Sequence, residues 1–493
     1  MQTGVGSPGG GGSLLYGVAL FLSTVETASY ASTASLPSLP TTQATLEPLS
    51  GPAIQHTDTD RDMSSSAMQP NGSTGRSTIG LGCAGGVIEG AVYEIGALCA
   101  LDEAVDGVDL HALDMYVGVS SGGLIGAMLA NGVSARELSR AVISEAHDPN
   151  LNLEPEVLFR PAVREFAGRL RRLPGAVASS LRYYALNPGD ISLLGLLSTF
   201  GSVLPTGFFN NAPLERFLAR AFSTGGRTNN FRKLKRQLYV VAMHLDSADV
   251  VVFGEPGYDH VPISSAIQAS TALPGLYTPV EIDGRYYIDG VARRTVHASV
   301  ALDAGADLLF CINPIVPVNI QLKQHADRLL SDGHPGPTLA DRGLPSVLSQ
   351  TFRAIVDSRK QTGFKKYEHT HPNADLLLIE PECDDTSLFF SNIFSFKNRH
   401  DVCEHAYQAT RRHLRTRADE IGPMLARHGL TLRMDVLDDN SRSLYGAGAP
   451  PSPEQLDSAT GTTDGTSTAD VLRETDQVLD RLDEVLDRVR AQT

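Results

Sequence analysis

The sequence has little that would suit a disulfide scaffold, a nucleic-acid partner or a membrane span. Its five cysteines are scattered over 493 residues, and no two of them form a CxxC pair. Acidic side chains outnumber basic ones by 56 to 41, so no excess of positive charge is available to neutralise phosphates. The apolar run at 14–23 has about ten residues, too few to cross a bilayer. These shortages exclude nucleic acid as a partner and argue against a transmembrane helix.

The cellular location follows from the same shortages. Widely spaced cysteines that cluster with no other metal ligands are typical of buried free thiols, which favours a reducing compartment. No Lys or Arg precedes Arg61, so the run at 14–23 lacks the basic region of a signal peptide. We therefore expect a cytoplasmic protein, at most peripheral to a membrane, with no metal and no cofactor.

Composition divides the chain into five parts. Residues 1–76 are rich in Ser, Thr, Gly and Pro and are predicted to be disordered. The negative charge lies mainly in the tails, since residues 434–493 hold thirteen acidic and five basic side chains. The predicted parts are a disordered segment (1–76), an α/β domain (77–320), a mainly helical extension (321–433), a flexible linker (434–468) and an amphipathic helix (469–493).

The C-terminal helix carries an apolar stripe, which is formed by Leu472, Leu479, Leu482, Leu486 and Val489. The stripe covers fewer than three heptads, which is too short to establish a coiled coil. Two interpretations stay open: the helix docks on the body of the protein, or it binds a partner or a second copy of the chain.

Strand-like and helix-like segments alternate from residue 77. Apolar strand patterns at 237–245 and 307–313 are separated by helical patterns, notably at 214–222 and 262–271. Such alternation favours a three-layer α/β/α fold with a mostly parallel central sheet. Beyond about residue 320 the pattern becomes mainly helical, with one strand-like run at 374–381.

The stretch "STIGLGCAGGVIEG" contains a GxGxxG formed by Gly80, Gly82 and Gly85. A dinucleotide-binding turn would require an acidic residue at the end of the next strand, where it binds the ribose hydroxyls. Here the next strand is "DMYVGVSSGG", which ends in small residues without an acid. The dinucleotide interpretation is therefore excluded, and the loop needs another function.

That next strand ends in a GxSxG formed by Gly118, Ser120 and Gly122. A strand–serine–helix turn holds the serine in a strained backbone, which only small neighbours tolerate. The helix that follows directs its positive N-terminal end at the serine. The pattern alone also fits a packing turn with an incidental serine, but its position predicts a nucleophile.

A nucleophilic serine needs an oxyanion site and a base. Backbone N–H groups of Gly85, Gly86 and Val87 are candidates for the first. For the base, Asp289 follows the strand-like "RYYI" and precedes Gly290, although an Asp-Gly pair is often only a turn. The histidines late in the chain have no context that marks one as catalytic, so a Ser-His-Asp triad stays a weaker alternative.

Together the three motifs resemble those of the patatin-like phospholipase family: "GGVIEG" (85–90), "GVSSG" (118–122) and "DGV" (289–291), in that order. The resemblance covers about residues 77–315. It implies a Ser–Asp dyad without histidine, in which Ser120 is the nucleophile and Asp289 its base. It also implies hydrolysis of acyl esters through an acyl-enzyme, with no metal.

Three positions depart from the family pattern. Val87 stands where the family has a third loop glycine, and Glu89 stands where it usually has a basic residue. Val291 replaces a Gly or Ala after Asp289-Gly290. Because oxyanion donors are main-chain N–H groups, a side chain at 87 need not abolish the site, but it can tilt the loop or narrow the pocket.

A basic segment at 159–184 bears on the substrate, and an uncharged stretch at 191–209 follows it. Phe159, Val163 and Phe166 share one predicted helix face with Leu170 and Leu173. A basic amphipathic helix beside an apolar stretch suits contact with anionic lipid; an ordinary surface helix fits about as well. The candidate membrane-contact residues are Arg160, Arg164, Arg171 and Arg172.

Two classes of function remain. The first is a carboxylic ester hydrolase that acts on phospholipid or another acyl ester. The second is a lipid- or partner-binding protein on the same fold, with a site impaired at Val87. An α/β-hydrolase esterase is a weaker third possibility, because its nucleophile elbow normally follows several strands.

Overall fold

The structure of the protein is a computed structural model that describes residues 76–142, 149–151, 153, 155–186, 205–292, 296–320, 338–383 and 399–445. The predicted disordered segment up to residue 75, residues 446–468 of the predicted linker and the helix at 469–493 lie outside the described residues. Most of the uncharged stretch, 191–204, also lies outside them. The linker prediction is wrong for its first residues, because Met434–Leu437 form a helix in which Val436 and Leu437 are buried.

Two units divide the chain. One comprises Arg76–Gly336 and Ser349–Thr493, and it contains all the strands described below. Residues 338–348 belong to the other unit, where the N–H and hydroxyl of Thr338 both donate to Asp341.

The sheets are formed by twelve strands within the described residues, in chain order β1 Ile79–Cys83, β2 Val105–Asp106, β3 Met115–Val119, β4 Gly207–Phe209, β5 Gln237–His244, β6 Val250–Phe253, β7 Gly275–Tyr277, β8 Val280–Ile282, β9 Arg285–Asp289, β10 Leu308–Ile312, β11 Asp375–Ile379 and β12 Thr431–Leu432. The predicted strands at 237–245, 307–313 and 374–381 are thereby confirmed.

The helices of the described residues are α1 Val87–Ala104, α2 Ser121–Ala130, α3 Ala135–Val142, α4 Pro155–Leu158, α5 Val163–Leu186, α6 Ala212–Ala221, α7 Ile263–Ser270, α8 Ala298–Asp303, α9 Leu344–Thr370, α10 Arg399–Thr416, α11 Ala418–Arg427 and α12 Met434–Leu437. Four of these helices, α9 to α12, lie beyond residue 320, which agrees with a mainly helical C-terminal part, although β11 between α9 and α10 belongs to the central sheet.

The central sheet has the order β11-β10-β1-β3-β5-β9-β8. The first five strands are parallel, while β6 and β9 both pair antiparallel with β5. The sheet is therefore mixed but mostly parallel, as the alternation of strands and helices predicts. Because the parallel strands share one direction, the loops after their last residues meet at one edge of the sheet, where ligands bind in such folds.

Both faces of this sheet are covered. Leu308, Phe310 and Ile312 of β10 pack into the core that includes α1 and α2. Leu309 and Cys311 of the same strand face a second core. Residues of α8 and α9 complete that second core. Alternate side chains of a strand point to opposite faces, so apolar residues at every position require helices on both sides.

The prediction for 159–184 is partly wrong. The helix α5 begins only at Val163, and Phe159 precedes it, with its ring 5.6 Å from that of Phe209. Pro161 explains the late start, because the residue before a proline is disfavoured in helical conformation. Val163 is 58% exposed, so it does not share a buried face with Phe159.

Candidate active site

Ser120 sits at the turn between β3 and α2. Val119 ends the strand, Ser121 begins the helix, and Ser120 between them has φ 54° and ψ −124°. A positive φ is uncommon for a residue with a side chain, and it is held only where the surroundings enforce it. This is the strained strand–helix turn predicted from the GxSxG pattern.

Backbone crowding explains both flanking glycines. A Cβ on Gly118 would lie 2.4 Å from the carbonyl oxygen of Gly122. A Cβ on Gly122 would lie 2.3 Å from the carbonyl oxygen of Ala84. Neither position can hold a larger residue unless the main chain moves, so the two glycines allow the turn to close against β1.

The glycine loop passes directly beside the serine. A Cβ on Gly85 would lie 2.9 Å from the Cβ of Ser120 and 3.5 Å from its Oγ. The helix α1 starts at Val87, and its first helical bond runs from the N–H of Gly90 to the carbonyl of Gly86 at 2.8 Å. Because the first N–H groups of a helix have no partner within it, this end of α1 suits an anion.

Val87 occupies an unusual backbone conformation, with φ 56°. A β-branched residue at positive φ is a conformational outlier. A glycine at this position would adopt the same angle without strain. The departure from the family pattern at 87 is therefore accommodated, but at a cost in backbone strain.

Sheet register brings Asp289 to the serine. Val119 is opposite Val241 on β5, and Ala242, the next residue of β5, is opposite Asp289 on β9. Hydrogen bonding by the Ser120 hydroxyl acts to lower the pKa of the Asp289 carboxyl. Two residues 169 positions apart in sequence thus meet across one strand, which brings the two predicted members of the dyad together.

The Asp289 carboxyl is almost completely buried, with 1% exposure. Burial raises the pKa of this carboxyl from 3.8 to about 7, although hydrogen bonds from the Val291 N–H and the Ser120 hydroxyl act to lower it. The Val291 N–H lies 2.9 Å from Oδ1 of Asp289. A carboxylate with a pKa near neutrality is suited to act as a general base.

Gly290 allows the turn after Asp289. A Cβ at this position would lie 2.6 Å from the carbonyl oxygen of Val241. The Asp-Gly pair is therefore more than a surface turn, because it lets β9 end against the backbone of β5.

Sequence reasoning missed Ser270, which lies fully buried at the end of α7. Its Oγ accepts a hydrogen bond from the backbone N–H of Ser120 at 2.8 Å. The same hydroxyl donates to the carbonyl of Val241 at 2.5 Å. In the sequence it stands near the end of the helical pattern at 262–271, where nothing marks it as functional.

An apolar cavity of about 150 Å³ opens beside Ser120. Among the described residues that line it, Arg399 is the one charged side chain, and none is a histidine. The rest of the lining is mainly aliphatic and includes Val87, Ile88, Val92, Ile95, Leu124, Ile125, Met128, Leu138, Leu151, Leu153, Leu158, Leu214, Phe217, Leu273 and Leu276. Such a lining suits a hydrocarbon chain.

One histidine has partners that resemble a triad. His428 lies 2.8 Å from Oδ2 of Asp375 through Nε2 and 3.0 Å from Oγ of Ser77 through Nδ1. However, Asp375 begins β11, whereas Ser120 follows the end of the parallel strand β3. Strands of five residues separate the two edges by roughly 15 Å. His428 therefore does not serve Ser120.

His297 is the histidine closest in sequence to the Asp-Gly turn. It is buried, and its Nε2 lies 3.5 Å from the carbonyl of Gly290. It thus contacts the turn after Asp289 and is not among the described residues that line the cavity beside Ser120. Within the part of the chain that the structure describes, no group of three His, Cys, Asp or Glu side chains is arranged to hold a metal ion.

The candidate membrane-contact residues lie on and before α5. Arg160 and Arg171 are exposed. The side chains of Arg164 and Arg172 lie outside the described residues. Across the described ranges, no helix is both long and apolar enough to span a bilayer.

Comparison with known proteins places this geometry in a family. Residues 82–302 match the model of the patatin-like phospholipase family. This part of the chain is therefore a patatin-like phospholipase domain, and the resemblance drawn from the three motifs is confirmed. The matched range contains Ser120, Asp289 and the candidate oxyanion residues Gly85, Gly86 and Val87.

Two solved structures show a remote likeness. VipD from Legionella pneumophila matches with 13% identity and a TM-score of 0.30, over 69% of this chain and 67% of that one. Full-length ExoU, solved in complex with full-length SpcU from the type III secretion system of Pseudomonas aeruginosa, matches with 20% identity and a TM-score of 0.21. The second match covers 40% of this chain and 38% of that one.

Proposed function

We propose that the protein is a serine lipid acyl hydrolase that cleaves carboxylic esters with a Ser120–Asp289 dyad. The observation that carries the proposal is the pairing of a strained serine with a buried carboxyl across β5, beside a glycine loop and an apolar cavity. The match of residues 82–302 to a family of lipid hydrolases supports the same class of reaction.

The reaction follows from the roles of these groups. Asp289 takes the proton of the Ser120 hydroxyl as Oγ attacks the ester carbonyl. The N–H groups of Gly85, Gly86 and Val87 stabilise the negative charge that develops on the carbonyl oxygen. The intermediate then collapses: the proton passes from Asp289 to the leaving alcohol, and an acyl-serine remains. Water, deprotonated by Asp289, attacks this ester. The second intermediate collapses as the proton passes from Asp289 to Oγ of Ser120, and the fatty acid is released.

The cavity indicates a fatty acyl group as the part of the substrate that it binds. Because an apolar cavity of about 150 Å³ holds a group the size of benzene, this one has room for roughly six carbons of an acyl chain. We therefore expect a p-nitrophenyl ester of a six-carbon acid to be hydrolysed with a lower KM than the acetate ester.

The experiment is covalent labelling with a fluorophosphonate probe, combined with ester hydrolysis. Wild type should label and turn over, and Ser120→Ala should do neither while it keeps its circular dichroism spectrum. Ser139→Ala is the matched control, because Ser139 is equally buried but its hydroxyl bonds the Arg136 carbonyl away from the site. Labelling of Ser120→Ala at the wild-type rate would refute the proposal.

The strained Val87 favours a second candidate, a lipid-binding protein with an impaired site. In that case wild type would neither label nor hydrolyse esters but would still bind a fatty acid in the cavity. Val87→Gly would then restore labelling if strain in the loop were the cause. The two candidates are thus separated by the behaviour of wild type alone.

We further propose that the arginines around α5 contact anionic lipid. Each exposed arginine near such a surface contributes on the order of 1 kcal/mol. Changing Arg164, Arg171 and Arg172 together to Glu should remove the salt-sensitive part of binding to anionic vesicles and leave hydrolysis of a soluble ester unchanged. Equal vesicle binding by wild type and the triple variant would show that this helix has only a structural role.

A further inference from the structure

Pro314 packs against the glycine loop from the side opposite the serine strand. It follows β10, and a Cβ on Gly86 would lie 3.0 Å from its Cγ. A Cβ on Gly90 would lie 3.1 Å from the same atom. The proline ring therefore lies against the first turn of α1, which carries the N–H groups proposed to bind the oxyanion.

Hydrogen bonds hold this proline in place. Asn313, which is fully buried, donates its backbone N–H to the carbonyl of Ile379 at 2.9 Å. Its side-chain oxygen accepts the N–H of Ile315 at 3.2 Å, and its Nδ2 donates to the carbonyl of Ile315 at 3.1 Å. The side chain of Asn313 thus closes a turn around Pro314.

One face of α9 fastens the rest of this segment. Gln350 accepts the N–H of Val318 at 3.1 Å and donates to its carbonyl at 2.8 Å. Arg353, one turn further along, donates to the carbonyl of Val316 at 3.2 Å. Residues three apart share a helix face, so both side chains reach the same strip of backbone.

Lys360 continues that face of α9. It forms ion pairs with Asp357 and Glu380, and its side chain is only 6% exposed. Glu380 in turn accepts a hydrogen bond from Nδ2 of Asn313 at 3.1 Å. The helix is therefore connected at three points to the segment that begins at Asn313.

A charge interaction also links α9 to α1. Burial lowers the pKa of the Arg353 guanidinium, and attraction to the negative charge of Glu89 acts in the opposite direction. Glu89 is 9% exposed and lies in the first turn of α1. The acid that stands at the family's usual basic position thus has a partly buried cation near it, which α9 supplies.

We propose that Gln350 and Arg353 are positioning residues for the glycine loop, acting through the segment 313–318 and Pro314. The inference rests on the proposed hydrolase function. It assigns a role in catalysis to a helix outside residues 82–302, the range that matches the family. Oxyanion donors stabilise a transition state only when they are held within a few tenths of an ångström of the productive geometry.

The test compares kcat, KM and the pH profile of hydrolysis of a p-nitrophenyl hexanoate ester. Gln350→Ala and Pro314→Ala should each lower kcat at least roughly tenfold, since loss of one oxyanion donor costs roughly a hundredfold or more. KM and the pH midpoint set by Asp289 should not change, because neither the cavity nor the base is altered. Lys366→Met, on an exposed part of the same helix, is the matched control and should match wild type.

A double-mutant cycle tests whether the effect passes through the proline. If it does, Gln350→Ala should reduce kcat much less in the Pro314→Ala background than in wild type. If the two substitutions instead lower kcat by independent factors that multiply, the proposed route through Pro314 is wrong. Arg353→Lys keeps a cation and a donor, so it should retain more activity than Arg353→Met, and it provides a milder variant if Gln350→Ala unfolds.

The outcomes separate the two proposals. If wild type hydrolyses the ester and all the α9 variants match it in kcat, the positioning role is refuted and the hydrolase function stands. If kcat of the variants falls only in proportion to the fraction of folded protein, α9 stabilises the fold and does not position the loop. If the pH midpoint of the variants moves, α9 acts on the dyad and not on the loop. Absence of hydrolysis and of probe labelling in wild type would refute the hydrolase function itself.

Discussion

Replacing Asp289 with asparagine should lower kcat on the order of a thousandfold and should make the fold increasingly stable relative to wild type as pH rises. The carboxyl is 1% exposed, and burial raises its pKa from 3.8 to about 7 despite hydrogen bonds from Val291 and Ser120. A carboxyl with a higher pKa in the folded state contributes stability that is complete below the unfolded pKa and is lost as pH rises through the folded one. A shift of about three units corresponds to about 4 kcal/mol.

Most of that loss of stability falls in a pH range that is easily reached in experiments. Between pH 5 and pH 8, ionisation of Asp289 should cost wild type about 2.5 kcal/mol of unfolding free energy. Asp289→Asn has no proton to lose, so the stability of the variant relative to wild type should rise by this amount over the same range. Urea unfolding followed by circular dichroism at several pH values measures the difference, with the exposed Asp246→Asn as a control.

The activity of wild type should rise over the same pH range in which its stability falls. Because the base must be ionised, the wild-type rate should rise with pH through a midpoint of about 7. Asp289→Asn should lose on the order of a thousandfold in kcat, within the range for loss of a general base. A stability difference that stays constant from pH 5 to pH 8, or full wild-type activity at pH 5, would show that the buried carboxyl is ionised throughout and refute the reasoning.

Three further substitutions test the surroundings of the dyad. Ser270→Ala removes the hydroxyl that bonds the Ser120 N–H, so kcat should fall roughly tenfold or more with KM unchanged; an unaltered kcat would contradict this positioning. Val87→Gly removes the strain of a positive φ, so it should raise the free energy of unfolding in urea by about 1 kcal/mol. A lower free energy of unfolding than wild type would show that the loop is not strained. The His297→Ala variant should keep most of the wild-type activity. If this variant is folded but inactive, a histidine serves as the base.

Local motifs were predictable because sterics leave them few solutions. The turn at Ser120 admits only glycine at 118 and 122, since any Cβ there would meet backbone oxygen within 2.4 Å. The parallel strands were readable for a similar reason: a strand covered on both faces must be apolar at successive positions, as in β10. These are properties of a short segment and its immediate neighbours.

Apart from the Ser120–Asp289 pair, which the family resemblance implied, contacts between distant segments were not predictable. Ser270 and Ser120 are 150 positions apart, and no local pattern distinguishes a serine that bonds a backbone N–H from one that ends a helix. Glu94 gave no sign that it would be completely buried, where its pKa is raised well above the ordinary value by burial. The start of α5 was missed because Phe159 and Val163 keep helical spacing although Pro161 separates them.

Val291, which stands where the family has Gly or Ala, helps to set the pKa of Asp289. The backbone N–H of Val291 bonds Asp289, and this bond does not depend on the side chain. The isopropyl group is 5% exposed and packs in the same apolar cluster as Val119 and Val241, so it helps to exclude water from the carboxyl. Gly or Ala at position 291 would bury the Asp289 carboxyl less.

Val291→Ala should therefore lower the pKa of Asp289 and move the midpoint of the pH–rate profile below that of wild type, because the charged carboxylate becomes better solvated. The stability that Asp289→Asn gains between pH 5 and pH 8 should shrink in the Val291→Ala background for the same reason. Val300→Ala, a truncation of equal size at the partly buried edge of that cluster, is the control and should leave the midpoint unchanged. A midpoint that stays fixed or rises in Val291→Ala would show that other groups keep water from Asp289.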